Sequence, residues 1–219
     1  MIETIRFNNV VPNVFVGSPP DGGPTEVWNQ SLEFRKGRSY LIEAASGRGK
    51  SSFCSFVYGL RTDYQGSVSY FSSNGQPVSI TEKTLCEMRR NSLALMFQEH
   101  RIFPELTAVE NVMLKNQLTD YFTEEEVRRH LVALGLEERL DRPCRLLSFG
   151  QQQRVAFVRL LAQPADFILL DEPVSHLDLK NAEIMSTMLS ERQAKEGAAI
   201  IVTSIGHRLP YSYDQTLKL

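Results

Sequence analysis

The stretch Ala44-Ala45-Ser46-Gly47-Arg48-Gly49-Lys50-Ser51-Ser52 limits the folds open to this chain more than any other. Ahead of it lies a strand-like run, Ser39-Tyr40-Leu41-Ile42-Glu43, and behind it a helical-looking run, Phe53 to Leu60. Strand, glycine-containing loop, Gly-Lys-Ser and helix, in that order, make a phosphate-binding loop. Backbone N–H groups of such a loop converge on phosphate oxygens. The helix that follows adds unpaired N–H groups and a partial positive charge at its N-terminus. Lys50 is then placed to reach the β- and γ-phosphates, and the Ser51 hydroxyl to ligate Mg2+. Ala44 stands where the first glycine of the pattern usually does. Alanine fits there if its φ is negative and no phosphate approaches it closely. A glycine-rich turn with a coincidental Gly-Lys-Ser would show the same letters, so other segments must separate the two readings.

The bulk properties narrow the class. A chain of 219 residues suits one domain, or one domain carrying an insertion. With 42 % hydrophobic and 23 % charged residues it has enough apolar side chains for a sizeable core. The net charge of −2 gives no global reason to expect nucleic acid as a partner. Cys54, Cys86 and Cys144 are odd in number and widely spaced, with no metal-ligand pattern, so reduced cysteines in a cytosolic protein are expected. Met1-Ile2-Glu3-Thr4 does not open a signal peptide, and no apolar run approaches the ~20 residues a spanning helix needs. Work at a membrane would therefore go through a partner.

Hydrophobic periodicity changes along the chain. Ile2 to Phe7 alternates as a half-buried strand does, Gly17 to Pro24 is dense in turn-formers, and Val27 to Phe34 reads as another strand. Gly66 to Phe71 and Pro77 to Ile80 flank Asn74-Gly75, a hairpin signal. A helix over Thr81 to Arg90 and a buried strand over Ser92 to Phe97 follow. Thr107 with Glu110, and Thr123 with Glu126, have capping-box spacing, and Gly135 is a helix stop. Another helix is expected from about Gly150 to Gln163 and a long one from Asp178 to Glu196, ended by Gly197. Phe167 to Leu170 and Ala198 to Thr203 are continuous apolar strands. Such strands, joined through helices, indicate a parallel sheet covered on both faces.

Two further segments carry chemistry. Phe167-Ile168-Leu169-Leu170-Asp171-Glu172-Pro173 sets two carboxylates at the end of a buried strand, where α/β sheets bind ligands. Asp171 can hold Mg2+ there, directly or through water, and Glu172 can polarise the attacking water as general base. In Leu147-Ser148-Phe149-Gly150-Gln151-Gln152-Gln153-Arg154, Ser148 opens a helix whose first N–H groups can bind an anion. An ordinary serine-capped helix accounts for Ser148 but not for the whole string.

That string resembles the signature motif of the ATP-binding cassette (ABC) ATPases, Leu-Ser-Gly-Gly-Gln, with Phe149 in place of the first glycine. The resemblance runs over nearly the whole chain. Met96-Phe97-Gln98 resembles the Q-loop, and Ser175-His176-Leu177-Asp178 the D-loop. The resemblance implies an α/β P-loop NTPase of ABC type. It would have a mostly parallel sheet, an N-terminal antiparallel β part and an inserted helical subdomain. All 219 residues would form one domain, with residues 1–98 and 157–219 as nucleotide-binding core and 99–156 as the helical subdomain.

It also implies a site residue by residue. Gln98 would contact Mg2+ and the attacking water and couple the helical subdomain to a membrane partner. Ala44 to Ser52 would cradle the phosphates of ATP, and Phe15 would stack on adenine, although a core phenylalanine is an equal reading. Ser148, Phe149, Gly150 and Gln151 would complete the site of a second copy, and Asp178, matching the D-loop aspartate, would be a further nucleotide-binding residue. The family places a histidine after the last buried strand; here that position is Ser204, and the nearest histidine is His207. Serine donates one neutral hydrogen bond and lacks the reach of imidazole, which points to slower hydrolysis, a His207 substitute or a site tuned for binding.

The expected protein is the ATP-hydrolysing subunit of an ABC transporter. It would be cytoplasmic and peripheral on the inner face of the cell membrane, with ATP and Mg2+ as cofactors. A separate permease and a second copy of the ATPase would be its partners. The bacterial lipoprotein-release, macrolide-export and cell-division subgroup is the most similar. A slowly hydrolysing, nucleotide-switched scaffold is the alternative reading. A genome-maintenance ATPase is disfavoured, because no sustained heptad run is present.

Overall fold

The computed structural model describes residues 1–17 and 23–219. Most of the turn-rich segment expected as an exposed loop, 18–22, lies outside the described residues. Among the described residues, eight strands form two sheets. β1 (Ile2–Pro12), β2 (Ser31–Arg35) and β4 (Tyr64–Ser72) make an antiparallel sheet in the order β2-β1-β4. β3 (Ser39–Glu43), β5 (Leu93–Met96), β6 (Phe167–Asp171), β7 (Ala199–Ser204) and β8 (Gln215–Lys218) make a parallel sheet in the order β5-β6-β7-β3-β8.

The unbroken apolar strands are explained by two cores, one on each face of the parallel sheet. In β6, Ile168 and Leu170 join the core that continues through α5 (Phe149–Leu161) into α3 (Ala108–Asn116) and α4 (Glu124–Ala133). Phe167 and Leu169 join the core beneath α1 (Lys50–Val57) and the antiparallel sheet. With both faces covered, no position in β6 is left for a polar residue before Asp171. Each fully buried leucine or isoleucine contributes about 1.5–3 kcal/mol relative to exposure.

The helix ends follow their caps. Thr107, Thr123 and Ser148 each cap a helix reciprocally with the residue three positions on, Glu110, Glu126 and Gln151. Thr81 and Thr84 form a fourth such box at α2 (Glu82–Asn91), unforeseen because Thr84 is not the usual acid or amide. The longest helix, α6 (Leu179–Glu196), is capped by Asp178 and stops at Gly197 with φ +65°.

Two expectations fail locally. Val27 and Trp28 are not in a strand, which begins only at Ser31. The Thr25 hydroxyl accepts both of their backbone N–H groups at 3.1 Å, and Asn29 takes φ +58°, so the chain turns there instead of extending. The hairpin after β4 is also shorter than expected. Its second arm reduces to a bridge between Phe71 and Pro77, since proline offers no ladder N–H, and Ile80 is largely exposed.

Candidate nucleotide site

Four adjacent strand ends assemble one cluster. β3 leads into the glycine loop, where Gly47 has φ +80° and Gly49, the N-cap of α1, has φ +96°. Ala44 is not among the residues with positive φ, which meets the backbone half of the condition its sequence position set. Its N–H donates to the Ser204 carbonyl at 3.1 Å, tying the start of the loop to the end of β7. Lys50 is the first residue of α1 and is 5 % exposed. Its ammonium donates to the carbonyls of Ala45 at 3.0 Å and Ala44 at 3.4 Å and lies 3.3 Å from Glu172 Oε1. Glu172 is also buried and adopts φ +52°, a costly conformation for a residue with a Cβ. Its N–H donates to the Thr203 carbonyl and hydroxyl, which holds that turn. Gln98, just after β5, donates its amide to Glu172 Oε2 at 3.4 Å. Thr203 in turn donates its hydroxyl to Asp171 Oδ1 at 2.6 Å. The buried Lys50–Glu172 ion pair is weak evidence for stability, because desolvation offsets most of its attraction.

Ser148 to Gln151 face a different set of neighbours. Ser148 Oγ accepts the Gln151 N–H at 3.3 Å, and Gln151 returns its side-chain oxygen to the Ser148 N–H at 2.9 Å. The Phe149 ring sits between two imidazoles, with centroids 4.4 Å from both His100 and His176. A Cβ on Gly150 would fall 2.7 Å from the His176 carbonyl oxygen, so that close approach requires glycine. The turn after β5, the start of α5 and the loop before α6 are thus pinned together. Ser148 and Phe149 remain exposed on the outer side of this joint. Gln153, inside it, donates to the Glu172 carbonyl at 3.5 Å and links α5 to the carboxylate cluster.

Comparison with known proteins decides the family. The family model described as ABC transporter matches residues 27–175, more than half of the chain. The chain belongs to the ABC transporter family. Similar proteins include the lipoprotein-releasing system ATP-binding protein LolD of Legionella pneumophila (strain Lens). It is 32 % identical over 191 residues, covering 86 % of this chain and 83 % of LolD. The ATP-binding cassette MJ0796, in a dimeric post-hydrolysis state bound to ADP and Pi, superposes with a TM-score of 0.72. It is 27 % identical, with 93 % of this chain and 88 % of that one covered. CbiO1 from Clostridium perfringens, part of the ABC transporter complex CbiONQ, is 22 % identical. It shares the fold with a TM-score of 0.69 over 96 % of this chain and 81 % of its own.

As an ABC ATP-binding subunit, the chain has the expected α/β fold with an antiparallel N-terminal sheet. ABC ATPases bind and hydrolyse ATP, and dimeric cassettes are among its structural neighbours. Among the described residues no helix is long and apolar enough to cross a membrane. Several other sequence-derived site residues have defined surroundings. Ser51 and the loop residues Ala45, Ser46 and Gly47 are exposed, Arg48 is buried, and Ser52 accepts a hydrogen bond from Arg61 at 3.2 Å. Phe15 is half-buried with its ring edge against Gly49. Asp178 accepts the Asn181 N–H at 2.8 Å, and that bond lowers its carboxyl pKa. Ser204 is 1 % exposed; its hydroxyl donates to the His207 carbonyl at 2.8 Å and accepts the Gly206 N–H at 3.0 Å. The Ser204 hydroxyl is therefore engaged inside its own turn, and His207 itself is exposed.

Sequence reading missed Thr203, Trp28, Gln153 and His100. Thr203 ends an apolar β-branched run and reads as one more strand residue. Burial, with the charges of His176 and Arg159, pushes the His100 imidazole down to about 4, against a smaller opposing pull from Glu99. Burial and the nearby Asp171 charge push the Cys54 thiol well up, so it is an inert core residue beneath the site. Beside the Q-loop lies a groove of about 330 Å³ whose lining includes Phe97, Phe103, Leu114, Lys115, Leu118 and Arg159.

Proposed function

We propose that this chain is the ATP-hydrolysing subunit that powers a separate membrane permease, working as an ATP-closed pair of copies. The observation that carries this reading is the convergence of Lys50, Gln98, Asp171 and Glu172 at adjacent strand ends, with Ser148 exposed elsewhere on the molecule. One copy then offers half a site, and a second copy's Ser148 to Gln151 and Asp178 would supply the rest. Loop N–H groups from Ala45 to Ser52 would hold the phosphates, and Lys50 the β- and γ-oxygens. Phe15 would lie against the adenine. Ser51, Asp171 and Gln98 offer hydroxyl, carboxylate and amide oxygens, a hard donor set that fits Mg2+, which would neutralise charge on the phosphates. Glu172 takes the proton of the attacking water as its oxygen bonds to the γ-phosphorus and ADP departs. Gln98 orients that water through the same carboxylate. For the carboxylate to act, Lys50 has to leave Glu172 for phosphate.

The groove beside Gln98 is the favoured seat for the permease, since a segment lodged there would touch the Q-loop directly. The working location is then the cytoplasmic face of a membrane. The likeness to LolD favours a lipoprotein-release type of system. Residues 99–156 would move as the helical subdomain against the rest.

A slowly hydrolysing, nucleotide-switched scaffold is the second reading, favoured by the Ser204 hydroxyl being committed to its own turn. Phosphate release from the purified protein, alone and with its membrane complex, separates the two. Turnover that falls about 10²–10⁴-fold in Glu172→Gln supports the motor. Tight ATP binding without turnover in either setting overturns it in favour of the scaffold.

A further inference from the structure

Trp28 is the only tryptophan in the chain and is 2 % exposed, yet it lies in a turn outside any strand or helix. The turn is not loose, because Thr25 Oγ1 fixes the N–H groups of both Val27 and Trp28. It aims the indole under the glycine loop. The indole N–H donates to the Arg48 carbonyl at 3.1 Å, in buried surroundings. A Cβ on Gly49 would lie 3.0 Å from the indole Cζ2 and 3.0 Å from Phe15 Cε2, so the rings rest directly on that residue. Phe53 and Phe56 of α1 pack edge-on at 6.4 and 6.1 Å and keep the indole from turning away.

A phosphate cradle needs its N–H groups pointing inward, and a carbonyl turned inward would repel the anion. Carbonyls of such a loop must point outward, and a buried one needs a donor. Indole supplies a donor and no acceptor, so it can satisfy an outward carbonyl without competing for the inward N–H groups. We propose that Trp28 is a positioning residue of the phosphate loop: its indole N–H anchors the Arg48 carbonyl outward, so that Gly49 and Lys50 present their N–H groups to the nucleotide phosphates. The role rests on the nucleotide reading of this loop. Trp28 itself touches no phosphate.

The interaction acts on the bound ground state and transition state alike, so it sets affinity rather than turnover. The test uses the full chain with Mg2+-ADP, followed by equilibrium dialysis of labelled ADP. Trp28→Phe keeps a ring and drops the hydrogen bond. Its Kd for ADP and its KM for ATP are expected to rise about 5–10-fold, with kcat within twofold of the parent. In the unmodified protein, tryptophan emission should shift with ADP or pyrophosphate but not with adenosine, because the contact is to the phosphate loop. That titration also decides the matter if Trp28→Phe fails to fold. Equal ADP affinity in Trp28→Phe, or emission unmoved by ADP that dialysis shows to be bound, overturns the positioning role alone. A parent protein that binds no ADP overturns both this role and the nucleotide reading.

Discussion

At the residue scale, His100 shows how burial sets chemistry. It is 2 % exposed with φ +59°, and among the described residues its Nδ1 has no hydrogen-bond partner. The Phe149 ring covers one side, and Arg159 donates to the His100 carbonyl. Protonation would bury a charge facing His176 and Arg159, with only Glu99 favouring it, so burial pushes the folded imidazole down to about 4. The unfolded histidine takes its proton near pH 6.5. Below that pH the unfolded chain binds the extra proton and the folded one does not. Stability is therefore full above the unfolded pKa and declines as pH falls from about 6.5 to about 4, by roughly 2–3 kcal/mol in all. Urea denaturation at a series of pH values should show this decline, and His100→Phe should flatten it. A parent curve that stays level between pH 7 and 4.5 would count against the burial argument. Asp178 loses its own smaller contribution lower down, as pH falls through its lowered folded pKa.

At the element scale, the cassette is held by its joints more than by its helices alone. α3, α4 and α5 start with reciprocal caps worth about 1 kcal/mol each, which define where each helix begins. They pack on one another through a shared core, and the Phe149 ring at the start of α5 ties the turn after β5 to the loop before α6. Aromatic contacts of this geometry add about 0.5–1.5 kcal/mol each beyond area burial. Phe149→Gly, which restores the more usual signature letters, is expected to cost about 1–2 kcal/mol of stability. Amide exchange around His100 and His176 should rise while exchange in β6 stays slow. Unchanged protection at both loops would show that the joint is held by Gly150 and His176 alone.

At the scale of the whole molecule, the charges at the strand ends are turned on one another, and the proposed function makes this half of a site. Lys50 and Glu172 are both buried and 3.3 Å apart. On the proposed function, removing the Glu172 charge would free Lys50 for phosphate and remove the general base together. Glu172→Gln is expected to run as a dimer on size exclusion in ATP and Mg2+ and as a monomer without nucleotide. Lys50→Ala should stay monomeric in both. A Glu172→Gln protein that remains monomeric at saturating ATP would contradict ATP-driven pairing.

Much of this was legible in the chain because it is local. The order Ser39 to Leu60, the Asp171-Glu172 pair after four apolar residues, and the Leu147 to Arg154 string each lie within one continuous segment. The same holds for Thr107 with Glu110 and Thr123 with Glu126, where a three-residue spacing is itself the interaction. Continuous apolar strands announced a sheet covered on both faces, but not which core each residue would join. What folding alone decided are contacts between distant segments. The Trp28 indole meets the Arg48 carbonyl, the Thr203 hydroxyl meets Asp171, Lys50 meets Glu172, and two imidazoles close on Phe149. None of these partners is chosen by residue type or spacing. Thr203 and Asp171, and Lys50 and Glu172, become neighbours because β6, β7 and β3 lie side by side with their carboxyl ends aligned, and that strand order is set by packing two cores at once.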